Sequence, residues 1–157
     1  MKTEDKTKLN NFIAIADIHQ SRIELALNYA NKNHLEDLTA KNVTDFSLID
    51  LSVFELLTNR FGKLQDCLGS KILPFLLKVL LEDNETFTQI DMLNKLEKLG
   101  YIPSVAEWTT MREMRNHFTH EYPNQPEITA ANLNEAIKSA KYLIAYWQDL
   151  KQRLSKL

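Results

Sequence analysis

Residues Thr129 to Leu154, TAANLNEAIKSAKYLIAYWQDLKQRL, decide the fold. Leu133, Ile137, Ala140, Ile144 and Trp147 recur at alternating steps of four and three. That spacing lays one apolar stripe along a helix, in the manner of a bundle seam. No Gly or Pro interrupts the stretch. A helix of this length with a single apolar stripe needs other helices to cover it.

Such partners lie upstream. From about Asp5 to Asn33 the stripe is Leu9, Phe12, Ile13, Ala16, Ile23, Ala26, Leu27 and Ala30. The polar stretch from Asn31 to Asp45 reads as a connection. A second stripe follows with Phe46, Ile49, Val53, Leu57, Phe61, Leu64 and Leu68. Gly69-Ser70 is a point where this helix can be interrupted. Ile72 to Leu81 is apolar almost all round, as expected of a buried helix, with Pro74 either starting it or kinking a longer one. Glu82 to Glu85 is expected to end it. A shorter helix is predicted over Ile90 to Leu99, closed by Gly100 at its C-terminal cap. Ser104 with Glu107 three residues on is a capping-box pattern, so a further helix starts there and runs to Pro123.

The bulk numbers agree with an all-helical chain. Its 157 residues suit one domain, spanning 1–157, and contain only 3 Gly and 4 Pro. The net charge of -2 excludes a molecule that is a basic nucleic-acid binder as a whole. Any RNA contact must then come from a local patch. One cysteine, Cys67, rules out an internal disulfide and fits a reducing cytoplasm. The polar start Met1 to Lys6 lacks a signal-like apolar region, and no apolar run approaches membrane-spanning length. The expectation is a cytoplasmic protein with no membrane contact.

The chemistry-bearing stretch is Arg115-Asn116-His117-Phe118-Thr119-His120-Glu121-Tyr122. An arginine can neutralise a phosphate and a histidine can move a proton near pH 7. Together they suit phosphodiester cleavage without a metal or other cofactor. On an ideal helix Arg115 and His120 lie about 140° apart, whereas Asn116 and His120 share a face. Either Arg115 swings round to His120, which sits in a loosened last turn, or two copies of the helix face each other across a two-fold axis.

The spacing Arg115, four residues, His120, one residue, Tyr122 resembles the signature of HEPN ribonucleases. It is closest to HepT-type toxins of the MNT/HEPN type VII toxin–antitoxin systems. Leu51 to Phe61 also looks like the second helix of such proteins. The chain departs from that pattern in having Pro123-Asn124 in place of a glycine-containing turn, and His117 where an apolar residue is expected. The resemblance implies an all-α, up-and-down four-helix bundle with an additional short helix, and a homodimer with a composite active site. It implies a metal-independent endoribonuclease acting as the toxin of a prokaryotic pair. Its partners would be an RNA substrate and an MNT-type nucleotidyltransferase antitoxin. Arg115 and His120 would be catalytic, with Asn116 in support, and Tyr122 would accept AMP from the antitoxin. The alternative is a non-catalytic helical module that binds a nucleotidyltransferase or a nucleotide. A third reading is a purely structural dimer with the motif as its polar interface.

Plainer roles stand beside these. Arg115 can pair with Glu113 or Glu121, His120 can serve as a helix C-terminal cation, and Tyr122 can pack across a turn. Glu113, His117 and His120 have helical spacing for a divalent cation, but no His or Cys cluster completes the set, so no metal site is expected. His19, near the first apolar stripe, reads as a partly buried, hydrogen-bonded histidine. Cys67, Trp108 and Trp147 read as structural.

Overall fold

A computed structural model describes residues 1–81 and 86–157, all helix and connections among those residues. The expected helix end at Glu82 to Glu85 lies outside them. The elements are α1 (Thr3–Lys32), α2 (Ala40–Thr44), α3 (Leu48–Cys67), α4 (Leu73–Leu81), α5 (Gln89–Lys98), α6 (Val105–Phe118) and α7 (Pro126–Leu154).

Helix α3 begins at Ser47, whose hydroxyl accepts from the Asp50 amide while the Asp50 carboxylate accepts from the Ser47 amide. The regular helix is interrupted at Gly69-Ser70 as expected, but the chain does not leave its helical path there. The chain passes through a π turn, Leu68–Ile72, directly into α4. Pro74 explains the widened turn. Its ring would crowd the carbonyl one regular turn back, and it has no N–H to return. Gly69 serves a second need there, since a Cβ would stand 3.3 Å from Cζ2 of the buried Trp108.

Neighbouring long helices run antiparallel. Along α1 and α3, Tyr29 meets Asp50, His19 meets Arg60, and the Phe12 carbonyl meets Cys67. Along α6 and α7, Trp108 packs on Tyr146 and Ser139 meets Met114. Helix α6 also crosses α3, with Phe118 edge-on to Phe61 at 5.5 Å. One core joins them, built on Ile23, Phe61, Leu64, Leu76, Trp108 and Trp147, all fully buried or nearly so. Burying such side chains contributes about 1.5–3 kcal/mol each.

Several polar groups at the core margin are paired, while the amide of buried Gln65 and the Trp108 indole N–H have no partner among the described residues. The Trp147 indole donates to Asp17 at 3.0 Å, and Lys151 closes on the same carboxylate. The buried Tyr146 hydroxyl donates to the Tyr101 carbonyl at 2.7 Å, and burial pushes its phenol pKa up. Asn134 uses both ends of its amide on the backbone of Leu38, which fastens the α1–α3 connection to α7. That connection carries the short helix α2, which its polar composition had hidden.

Two expected helix ends are seen in detail. Gly100, at φ 74°, ends α5 in a Schellman motif, with the Tyr101 amide on the Leu96 carbonyl and the Gly100 amide on that of Glu97. Ser104 caps α6 by accepting from the Glu107 amide at 2.9 Å. The other end of α6 differs from expectation. It stops at Phe118, five residues before Pro123. Thr119, the first residue beyond the helix, turns its hydroxyl back onto the Asn116 carbonyl at 3.1 Å. The chain is therefore already turning when it reaches His120.

Among the described residues, no helix is long and apolar enough to cross a membrane.

Candidate active site

Arg115 lies in the last turn of α6 and reaches sideways onto α3. Its Nε would be 3.1 Å from a Cβ on Gly62, so the arginine side chain runs over that glycine. Its guanidinium is ion-paired with Asp66, one turn further along. Gly62 and Asp66 are four apart and share a face of α3. The pair is partly solvated, with the Arg115 side chain 37% exposed and that of Asp66 54%.

His120 leaves the helix after Thr119 and lines a cleft of about 350 Å³ between α2, α3, α6 and α7. Glu55, Thr58 and Asn59 of α3 form one wall, Phe118 and Glu121 another, and Phe46, Phe54 and Leu133 the apolar floor. Glu55 and Glu121 set two carboxylates against one histidine. Their charge disfavours bulk attraction of an anion into the cleft.

The expected 140° divergence between Arg115 and His120 does not apply, because His120 is outside the helix. Both residues instead approach α3, Arg115 over Gly62 and His120 in the cleft that Glu55, Thr58 and Asn59 line. Gly62 lies about 4.5 Å beyond Asn59 along the helix axis. The same early helix end removes the expected shared face of Asn116 and His120. Asn116 is exposed and contributes its carbonyl to the Thr119 hydroxyl. Tyr122 is half-buried, and its carbonyl accepts from the Gln125 amide. Neither Asn116 nor Tyr122 lines the cleft.

Several participants were not evident from the motif. Asp66, rather than Glu113 or Glu121, is the partner of Arg115. The available signal was Gly62, a glycine inside an uninterrupted helical pattern, which marks close approach by another element. Glu55 and Asn59 carried no such mark. His19 is hydrogen-bonded as expected, with Nη1 of Arg60 at 3.1 Å from its Nδ1. A guanidinium only donates, so Nδ1 accepts and the ring proton is on Nε2. Burial first, then the charges of Arg60, Lys63 and Lys71, hold the His19 pKa below its ordinary value. Cys67 is buried against the Phe12 carbonyl, and burial raises its thiol pKa. Among the described residues, no group of three His, Cys, Asp or Glu side chains is placed to hold a metal ion.

Comparison with known proteins gives no matching family model, no matching curated protein and no matching solved structure.

Proposed function

We propose that this chain is a metal-independent endoribonuclease of the HEPN type, built as an up-and-down four-helix bundle with short additional helices. The observation that supports this best is that Arg115 and His120 both approach α3, Arg115 over Gly62 and His120 in the cleft lined by Glu55, Thr58 and Asn59. His120 takes the proton from a ribose 2′-OH, and that oxygen attacks the adjacent phosphorus. Arg115 meets the charge that develops on the phosphorane oxygens. The bond to the 5′-oxygen breaks, leaving a 2′,3′-cyclic phosphate and a 5′-hydroxyl. A second histidine, His117 or one from a second subunit, protonates the leaving oxygen. Asn116 supports the site from outside the cleft. In this reading the chain is the toxin of a pair, and an MNT-type nucleotidyltransferase silences it by attaching AMP to Tyr122.

The test is RNA degradation by purified protein in excess EDTA. Cyclic-phosphate ends that form in EDTA, and are lost with His120→Ala, support the reading. Intact RNA in every condition sinks it.

One observation favours the alternative of a non-catalytic module that binds a nucleotide or a nucleotidyltransferase. Arg115 is engaged by Asp66, and Glu55 and Glu121 share the His120 cleft. On this reading the motif holds a ligand without turning it over. Saturable binding of AMP or ATP by an RNase-inactive protein would select it.

A further inference from the structure

Helix α1 carries a second stripe besides the one that it buries. Leu9, Ala16, Ile23 and Ala26 face the core. Ile15, Ile18, Arg22 and Leu25 recur at steps of three, four and three on another side, with Ile18 50% and Leu25 57% exposed. That is a packing seam left open among the described residues. Helix α3 has a matching row of Ile49, Leu56, Arg60 and Lys63, and its Ile49 is 62% exposed.

The His19–Arg60 hydrogen bond places these rows side by side. Ile15 and Arg22 lie four before and three after His19. Leu56 and Lys63 lie four before and three after Arg60. The antiparallel run of α1 and α3 continues the alignment towards Leu25 and Ile49, beside the Tyr29–Asp50 contact.

The charge on this face is one-sided. Arg60, Lys63 and Lys71 all act on His19. Among the described residues none of these three, nor Arg22, has a carboxylate at ion-pair distance. The carboxylate at the end of the face, Asp50, accepts the Tyr29 hydroxyl at 2.7 Å. In a chain of net charge -2, unpaired cations beside an aliphatic seam define what fits. A second copy placed across a two-fold axis would set this cationic face on its own image. RNA would gain the charges, but the seam is aliphatic apart from Tyr29, whose hydroxyl is held by Asp50, and one ring is not a row of platforms for bases. A helix with an apolar seam and acidic flanks satisfies both the seam and the cations.

We propose that the α1–α3 face docks an acidic amphipathic helix of a partner protein. The proposal is independent of the ribonuclease reading.

Two synthetic peptides of three heptads test it, with the same Leu seam and either Glu or Lys at every flanking position. Each is titrated onto the full-length protein by fluorescence anisotropy. The Glu peptide should bind saturably, and the Lys peptide at least about tenfold more weakly. Ile18→Asp and Leu25→Asp change exposed side chains and should keep the wild-type melting temperature while weakening the Glu peptide by about tenfold or more. Lys63→Glu should weaken it too, and added salt should narrow the gap between the two peptides. No saturable binding of the Glu peptide, equal binding of both, or full binding by Ile18→Asp overturns the proposal. So does a wild-type dimer that Leu25→Asp dissociates, which assigns the face to a second copy. If Lys63→Glu loses oligouridylate binding and keeps peptide binding, the face belongs to RNA.

Discussion

Arg115 of α6 is ion-paired with Asp66 of α3, across the bare backbone of Gly62. The pair fixes where the guanidinium points. A half-exposed ion pair is worth about 0.2–1 kcal/mol, so its main effect is on aim, not on stability. Asp66→Asn should leave the melting temperature within a few degrees of wild type and lower RNA cleavage by about tenfold or more. Arg115→Lys should also lose turnover, because an ammonium cannot reproduce the fork of a guanidinium. Single-turnover rates on one RNA oligonucleotide measure both. If Asp66→Asn raises cleavage, the ion pair restrains Arg115 instead of aiming it.

His120→Ala should lower cleavage by about 10²–10⁴-fold, the range for loss of one general acid–base group. His120 is exposed and outside α6, so the fold should be untouched. Circular dichroism melts and cleavage rates on one preparation separate the two effects. A well-folded His120→Ala protein with full activity removes the residue from the mechanism.

Tyr122→Phe should keep most of the RNA cleavage and escape silencing by a cognate nucleotidyltransferase with ATP. Tyr122 stands outside the cleft, so on this reading an AMP adduct two residues beyond His120 acts by setting negative charge and bulk beside its mouth. Intact mass after co-expression, followed by peptide mapping, checks the site. An adduct on another residue, or an unchanged mass with an active transferase, ends this assignment.

Gly69→Ala should destabilise the fold by about 1–3 kcal/mol, the usual range for overpacking. Its new methyl would meet the Trp108 ring at 3.3 Å, and that ring is buried on every side. Chemical denaturation measures the loss. An unchanged midpoint would mean that Trp108 has room to move.

His19 predicts a pH dependence. Its folded pKa lies below the ordinary value of 6.5, first through burial and then through Arg60, Lys63 and Lys71. Below about pH 6.5 the unfolded chain therefore binds this proton more readily than the folded one. The stabilisation is complete above the unfolded pKa and declines as pH falls from there towards the folded pKa. Melting temperature should drop between about pH 7 and 5, and His19→Gln, which can still accept from Arg60, should flatten that drop. An equal slope in the variant assigns the effect to other groups.

The helices were largely legible because each carries its own apolar period. The seam from Leu133 to Trp147 and the stripe from Leu9 to Ala30 state the 3.6-residue repeat directly. The end of α6 was not legible in the same way. Pro123 is the strongest local breaker, but the helix ends earlier, at Phe118, where the Thr119 hydroxyl turns back onto the Asn116 carbonyl. Asp66 was invisible for a different reason. Its pairing with Arg115 spans 49 positions, and nothing local to either residue encodes it.

The π turn between α3 and α4 makes this chain sensitive to the number of its residues as well as to their kind. A π turn holds one residue more than the α turn it replaces. Deleting Ser70 would let the segment close into regular α-helix with α4 left close to its present phase, whereas deleting a residue from the regular part of α3 would turn everything after it by about 100°. Leu73, Leu76 and Leu77 would swing out of the interior together, although none of them had changed. The five residues from Leu68 to Ile72 thus act as a phase adjuster, which brings the apolar side of α4 back into step with that of α3.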